Sequence, residues 1–247
     1  MFNIYDMRSK KEESMSSEEF RNFIIQKTES RLEYGRPVIP ERTGYRGSKI
    51  NALKENFCVY ENVFLVTAIS RVNNNVNTRY MILIDETNKK VNCQGIEKIV
   101  NKNIPIYRIR SNNINQNQQI SFLSYWFRKT MGRAFSFIDL DYLIQKDNHI
   151  IIIEEKNSLY TKIGYGQLLS LKELANDIFS VPTTLLFIYI DNNIQYYICE
   201  QYDINNYKYN FISQYPGYRI KNENIHILNN NEELIDIIKN HYILLEV

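Results

Sequence analysis

The chain has 247 residues, 44% of them hydrophobic, and a formal net charge of +2, enough apolar material for one large domain or a core with an additional lobe. A charge so near balance neither demands nor excludes nucleic acid, because local patches matter more than the total. Cys58, Cys93 and Cys199 lie far apart with no CxxC or Cys/His cluster, which speaks against a zinc site or a disulfide framework, and no apolar run is long enough to span a membrane or to form a signal-peptide core, so the expectation is a cytoplasmic protein with no membrane partner.

Residues 1–17 are polar and predict a loose segment. Ser17-Glu18-Glu19-Phe20 opens a helix with a cap, and Phe20, Phe23, Ile24 and Ile25 give it an apolar stripe. Tyr34–Lys54 holds two of the five prolines and reads as a basic, aromatic loop. Within it Arg36, Arg42, Tyr45, Arg46 and Lys49 are candidates for phosphate contact and base stacking. Asn62–Arg71 and Thr78–Asp85 predict strands around an Asn-rich hairpin loop, and Ile104–Arg110 predicts another. Ser111–Gln119 is polar and low in complexity, the best candidate for a linker. It divides the chain into an N-terminal α+β region, 1–116, suited to substrate recognition, and a C-terminal region, 117–247. Ile120–Lys129 predicts a helix with Trp126 in its apolar side.

Phe135–Ile144 (FSFIDLDYLI) then predicts a strand carrying Asp139 and Asp141, and Ile150–Lys156 (IIIIEEK) a buried strand that ends in charge. Charges are rarely fully buried unless paired or metal-bound. Side chains alternate along a strand, so Glu154 and Lys156 share one face and Glu155 takes the other. Asp147 and Asn148 suit a tight turn, with His149 read as a turn residue. A two-residue loop makes Lys146 face His149, Ile144 face Ile151, Asp141 face Glu154 and Asp139 face Lys156. Carboxylates gathered at one rim repel each other, and a divalent cation relieves that. A solvated charge cluster on a surface hairpin would show the same letters. The apolar run that leads into the charges, and the aspartates on the preceding strand, favour a site.

Asp141, followed after 13 residues by Glu154-Glu155-Lys156, resembles the motif of the PD-(D/E)XK nuclease superfamily, the restriction-endonuclease-like fold. The context agrees. Gly164-Tyr165-Gly166-Gln167 opens a helix with Leu168, Leu171, Ala175 and Ile178 at helical spacing, and Thr183–Ile190 (TTLLFIYI) reads as a second buried strand. Gln167 matches a glutamine that some branches carry near the metal, and Leu140 stands where a proline often precedes the aspartate. The resemblance covers about Ile120–Glu200.

It implies an α/β fold: a restriction-endonuclease-like core with a mixed central sheet flanked by helices, plus N-terminal and C-terminal additions. It implies Mg²⁺, with Mn²⁺ able to substitute, bound by Asp141, Glu154 and the Glu155 carbonyl. Lys156 would position the attacking water, Gln167 would assist, and Asp139 competes with Asp141 as the strand's functional carboxylate. The substrate implied is DNA, double-stranded, cut by a type II restriction-like endonuclease that acts as a homodimer. A Holliday-junction resolvase or viral nuclease of the same fold is the alternative, as is a non-catalytic nucleic-acid-binding protein. After Glu200 the chain is rich in tyrosine, and Asn230-Glu232-Glu233 opens a final helix over Leu234–Tyr242.

Overall fold

The computed structural model describes residues 1–28, 57–72, 75–88, 93–112, 121–131, 135–156, 158, 161–190, 194–199, 210–214 and 217–244. The chain is mixed α and β, with mixed multi-stranded sheets and few helices. It divides into two compact units, Met1–Tyr45 with Glu61–Leu140, and Arg46–Tyr60 with Asp141–Val247. No helix among the described residues is long and apolar enough to cross a membrane.

The first unit opens on a hairpin, β1 (Phe2–Asp6) and β2 (Glu12–Met15), where the polar letters suggested a loose segment. Phe2 and Ile4 alternate into the core, while the polar residues make the turn and the exposed strand. Asp6 accepts the amides of Arg8 and Ser9 at 2.8 and 3.1 Å and so closes that turn. Helix α1 (Ser17–Thr28) starts with a capping box: the Ser16 amide donates to Glu19 Oε2 at 2.7 Å and the Glu19 amide to Ser16 Oγ at 3.2 Å. These bonds from Ser16 hold the Glu19 carboxyl below its ordinary range. Glu19 therefore works in the helix start, as a first-turn acid should.

After β3 (Cys58–Tyr60), which belongs to the second unit, come β4 (Val63–Val72), β5 (Asn75–Asp85), α2 (Ile96–Ile99), β6 (Ile106–Ser111), α3 (Phe122–Thr130) and β7 (Phe135–Leu140). They complete a six-stranded sheet in the order β2-β1-β6-β5-β4-β7, parallel at β5–β6 and antiparallel elsewhere. Phe20 and Ile24 of α1 and Leu123 and Trp126 of α3 pack on Phe2, Phe64 and Leu83 of this sheet. Trp126 is core, as its sequence position suggested, and its indole N–H donates to Ser17 Oγ at 2.7 Å. Helix α3 and strand β7 sit in this unit, although residues from 117 onward were expected to join the C-terminal region. The cause is backbone pairing, since β7 bonds to β4 from Val63 opposite Leu140 to Ala68 opposite Phe135.

In the second unit β8 (Tyr142–Lys146) and β9 (His149–Lys156) form a hairpin. Next come β10 (Ile163–Gly164), α4 (Tyr165–Glu173) with a π-helical turn at Leu174–Ile178, β11 (Thr183–Ile190) and β12 (Ile194–Cys199). A second hairpin, β13 (Phe211–Gln214) and β14 (Gly217–Ile220), is followed by β15 (His226–Leu228) and α5 (Asn231–Leu244). The main sheet runs β15-β12-β11-β9-β8-β3, with β9 and β11 parallel and the other pairs antiparallel. A smaller sheet has the order β10-β14-β13. β9 lies inside the main sheet, which explains its unbroken isoleucines: Ile151 and Ile153 pack with Leu234 and Ile238 of α5, and Ile150 and Ile152 are buried on the opposite face.

Candidate active site at the end of β9

The hairpin register follows the sequence expectation up to Tyr142. Lys146 pairs with His149, Ile144 with Ile151 and Tyr142 with Ile153, around a two-residue turn in which Asp147 takes a left-handed φ of 49°. His149 is a buried strand residue rather than part of the turn, and its ring meets Thr184 Oγ1 at 3.0 Å. Beyond Tyr142 the expected single strand breaks. Asp141 is a bend between β7 and β8. Its Oδ2 accepts the Glu155 amide at 2.9 Å, so a side chain serves the β9 N–H where the strand ladder ends. Asp139 does not face Lys156. It lies on β7, opposite Phe64 of β4 in the first unit's sheet, and is 8% exposed. The bend at Asp141 takes β7 out of the hairpin ladder, and the projected pairing assumed a straight strand.

Glu154 is 2% exposed, and its Oε2 accepts two side-chain hydrogen bonds, from Lys156 Nζ at 3.0 Å and Gln167 Nε2 at 2.7 Å. A carboxylate so deeply buried costs several kcal/mol unless it is paired and hydrogen-bonded. Lys156 supplies the charge and Gln167 a second donor. On β11 the register partner of Glu154 is Phe187, and that of Lys156 is Tyr189, both buried. Burial pushes the Tyr189 phenol well above its ordinary value, with the Arg219 charge opposing part of that rise.

The small sheet sets where α4 begins, and so where Gln167 points. Ile163 and Gly164 of β10 pair with Tyr218 and Gly217 of β14. The backbones approach so closely that any side chain at Gly217 would run into the Ile163 carbonyl. The Tyr165 ring stands edge-on to Tyr218 at 4.7 Å, and its hydroxyl meets Ser213 Oγ at 3.1 Å. Two residues later Gln167 reaches Glu154.

The structure thus gathers Asp141, Glu154, Glu155, Lys156 and Gln167 at one end of β9, and it leaves Asp139 in the other unit. Arg36, Arg42, Tyr45, Arg46 and Lys49 lie outside the described residues. Among the described residues no group of three or more His, Cys, Asp and Glu side chains is placed to hold a metal ion. Tyr189 was not singled out in the sequence; it comes beside Lys156 through the parallel pairing of β11 with β9. No family model, no curated protein and no solved structure matches this chain.

Proposed function

We propose that the chain is a metal-dependent nuclease that hydrolyses DNA phosphodiester bonds, a restriction-like endonuclease resembling the PD-(D/E)XK enzymes, with its centre at Asp141, Glu154 and Lys156. The observation that carries this reading is the convergence of Lys156 and Gln167 on a buried Glu154, one residue from the amide that Asp141 holds. The order β8-β9-α4-β11, a hairpin followed by a helix and a parallel neighbouring strand, supports a restriction-endonuclease-like core.

The donor chemistry suits Mg²⁺, with Mn²⁺ as a substitute. Asp141, Glu154 and the Glu155 carbonyl offer hard oxygen ligands, and Mg²⁺ commonly takes one or two carboxylates and fills its shell with water and substrate phosphate. Such a set is smaller than three acidic or imidazole side chains, so it is compatible with the absence of that larger grouping among the described residues. When bound, the ion supplies charge stabilisation and a more acidic water.

Hydrolysis makes a bond from the water oxygen to phosphorus and breaks the bond from phosphorus to the leaving sugar oxygen. Lys156 carries three N–H donors, and one of them serves Glu154. The others can hold the attacking water and meet charge that develops on the phosphoryl oxygens. Gln167 fixes the Glu154 carboxylate. The Glu155 amide fixes Asp141. The proposed substrate is duplex DNA, which a homodimer could cut on both strands.

The direct ion pair between Lys156 and Glu154, at 3.0 Å, also suits a second reading, a nucleic-acid binder that keeps the fold without turnover. Incubation with mixed plasmid DNA in Mg²⁺ separates the two. Nicked or linear product that requires Mg²⁺ and disappears in Glu154→Gln supports the nuclease. A wild type that binds Mg²⁺ by calorimetry and binds DNA, yet leaves every form intact, selects the binder.

A further inference from the structure

We propose that the Tyr189 hydroxyl donates a hydrogen bond to a non-bridging oxygen of the substrate phosphate that lies against Lys156, which makes β11 the second strand of the site. This rests on the nuclease reading above. Backbone pairing places the residue. β9 and β11 run parallel, with Glu154 opposite Phe187 and Lys156 opposite Tyr189. Residues paired across neighbouring strands leave the sheet on the same face, so Tyr189 and Lys156 start from backbones about 4.8 Å apart and project to the same side. The packing agrees with that face. Ile153, Leu186 and Ile188 share a core with Leu234 and Ile238 of α5, while the ring of Phe187 meets that of Phe211 on the other side. Both strands also end here: Lys156 closes β9, and Tyr189 is the last residue but one of β11. Open α/β sheets take up their ligands beyond the carboxyl ends of parallel strands.

Tyr189 is 2% exposed, and among the described residues its hydroxyl makes no hydrogen bond. A phenol taken out of water without a partner costs stability, and a phenylalanine would fill the same place without that cost. The hydroxyl thus adds a cost that a loaded site can offset. Burial raises the phenol above its ordinary value, so it keeps its proton and stays a donor at neutral pH. Lys156 uses one of its three donors on Glu154. A neutral O–H beside the remaining N–H groups suits a phosphoryl oxygen that gains charge as the bond to water forms. The proposed cation already finds its oxygens on Asp141, Glu154 and the Glu155 carbonyl, so the phosphate is the partner left for the phenol.

The test compares Tyr189→Phe with the wild type as full chains, by thermal melting, by affinity for a fluorescent DNA duplex in Ca²⁺ across salt concentrations, and by single-turnover cleavage across Mg²⁺ concentrations. Tyr189→Phe should melt at or above the wild-type temperature. It should bind the duplex about threefold more weakly, with an unchanged salt slope because the hydroxyl carries no charge. The bound complex should cut about tenfold more slowly, with the same half-maximal Mg²⁺ concentration. Wild-type affinity and rate in Tyr189→Phe overturn the proposal. A variant that melts well below the wild type overturns it too, since the hydroxyl would then serve the fold. A raised Mg²⁺ requirement also overturns it, because it would set the hydroxyl among the groups that hold the ion. A wild type that binds duplex but never cuts removes the nuclease reading alone, and the affinities still decide Tyr189: weaker binding by Tyr189→Phe supports the contact, and equal binding overturns it. A wild type that binds no DNA overturns both.

Discussion

Asp85 and Glu154 are equally buried, each 2% exposed, and each lies near the end of a strand in its own six-stranded sheet. Their partners differ in kind. Asp85 Oδ1 accepts the Thr87 amide at 2.9 Å and Oδ2 the Leu123 amide at 3.0 Å, so it joins the end of β5 to the first turn of α3. Glu154 accepts from two side chains. Amide donors cannot turn away without undoing the strand and helix that carry them. Side-chain donors can rotate toward a water, an ion or a phosphate. Equal burial therefore serves the fold at Asp85, while at Glu154 it leaves groups that can do chemistry.

The comparison breaks most visibly in a paired experiment. Glu154→Gln should lower cleavage by about 10³-fold or more, roughly 4 kcal/mol at the transition state. Its unfolding free energy should move by less than about 1 kcal/mol, because the amide still offers an acceptor to Lys156. Asp85→Ala should do the reverse and cost about 3 kcal/mol, since it removes the α3 contact and strands buried amides. Urea unfolding and cleavage assays on both variants read these numbers. If Glu154→Gln unfolds as readily as Asp85→Ala, Glu154 is a structural carboxylate like Asp85 and the proposed centre is lost.

Lys156→Ala comes next, with a loss on the order of 10²–10³ in the single-turnover rate and a much smaller loss of DNA affinity in Ca²⁺. The ammonium lies 3.0 Å from Glu154 and can act on water or on phosphoryl charge, but it cannot ligate a metal. Collapsed affinity with an intact rate in the bound complex would make Lys156 a phosphate anchor instead.

Asp141→Asn should cost on the order of a hundredfold in rate while the protein stays folded, because an asparagine oxygen can still accept the Glu155 amide. Asp139→Asn should cut as the wild type does, since its strand position belongs to the pairing with β4. An inactive Asp139→Asn beside an active Asp141→Asn would move the centre away from the end of β9.

What the sequence made legible here follows from how local each signal is. The β8–β9 register was readable because a two-residue Asp-Asn turn fixes all the pairings that follow it. The face shared by Glu154 and Lys156 was readable because alternation is a property of any strand. The bend at Asp141 was not, because FSFIDLDYLI has continuous strand character and only pairing with two different sheets divides it. The β1–β2 hairpin was hidden by its polar turn and exposed strand, which resemble a loose segment in composition alone. The packing of Phe211 against Phe187 joins residues far apart in the chain, and no window of neighbouring letters contains that.

The smallest effect sharpens the comparison most finely. Gln167 supplies one of the two donors on Glu154 Oε2, at 2.7 Å, from a helix start that Gly217 and the Tyr165–Tyr218 contact set in place. In the proposed centre it would orient the carboxylate and leave the reacting phosphate to other groups. Gln167→Ala should therefore cost about tenfold in rate, in the range usual for a group that holds a ligand in position. The Mg²⁺ concentration needed for half-maximal rate should rise, because a carboxylate free to rotate is a poorer ligand. Gln167→Glu should be worse than Gln167→Ala at neutral pH, since it sets a second negative charge against Glu154. A Mg²⁺ titration of the three proteins reads both effects. If Gln167→Ala matches the wild type in rate and in Mg²⁺ dependence, the donors around Glu154 are interchangeable packing, and the difference in kind between Glu154 and Asp85 no longer points to a catalytic centre.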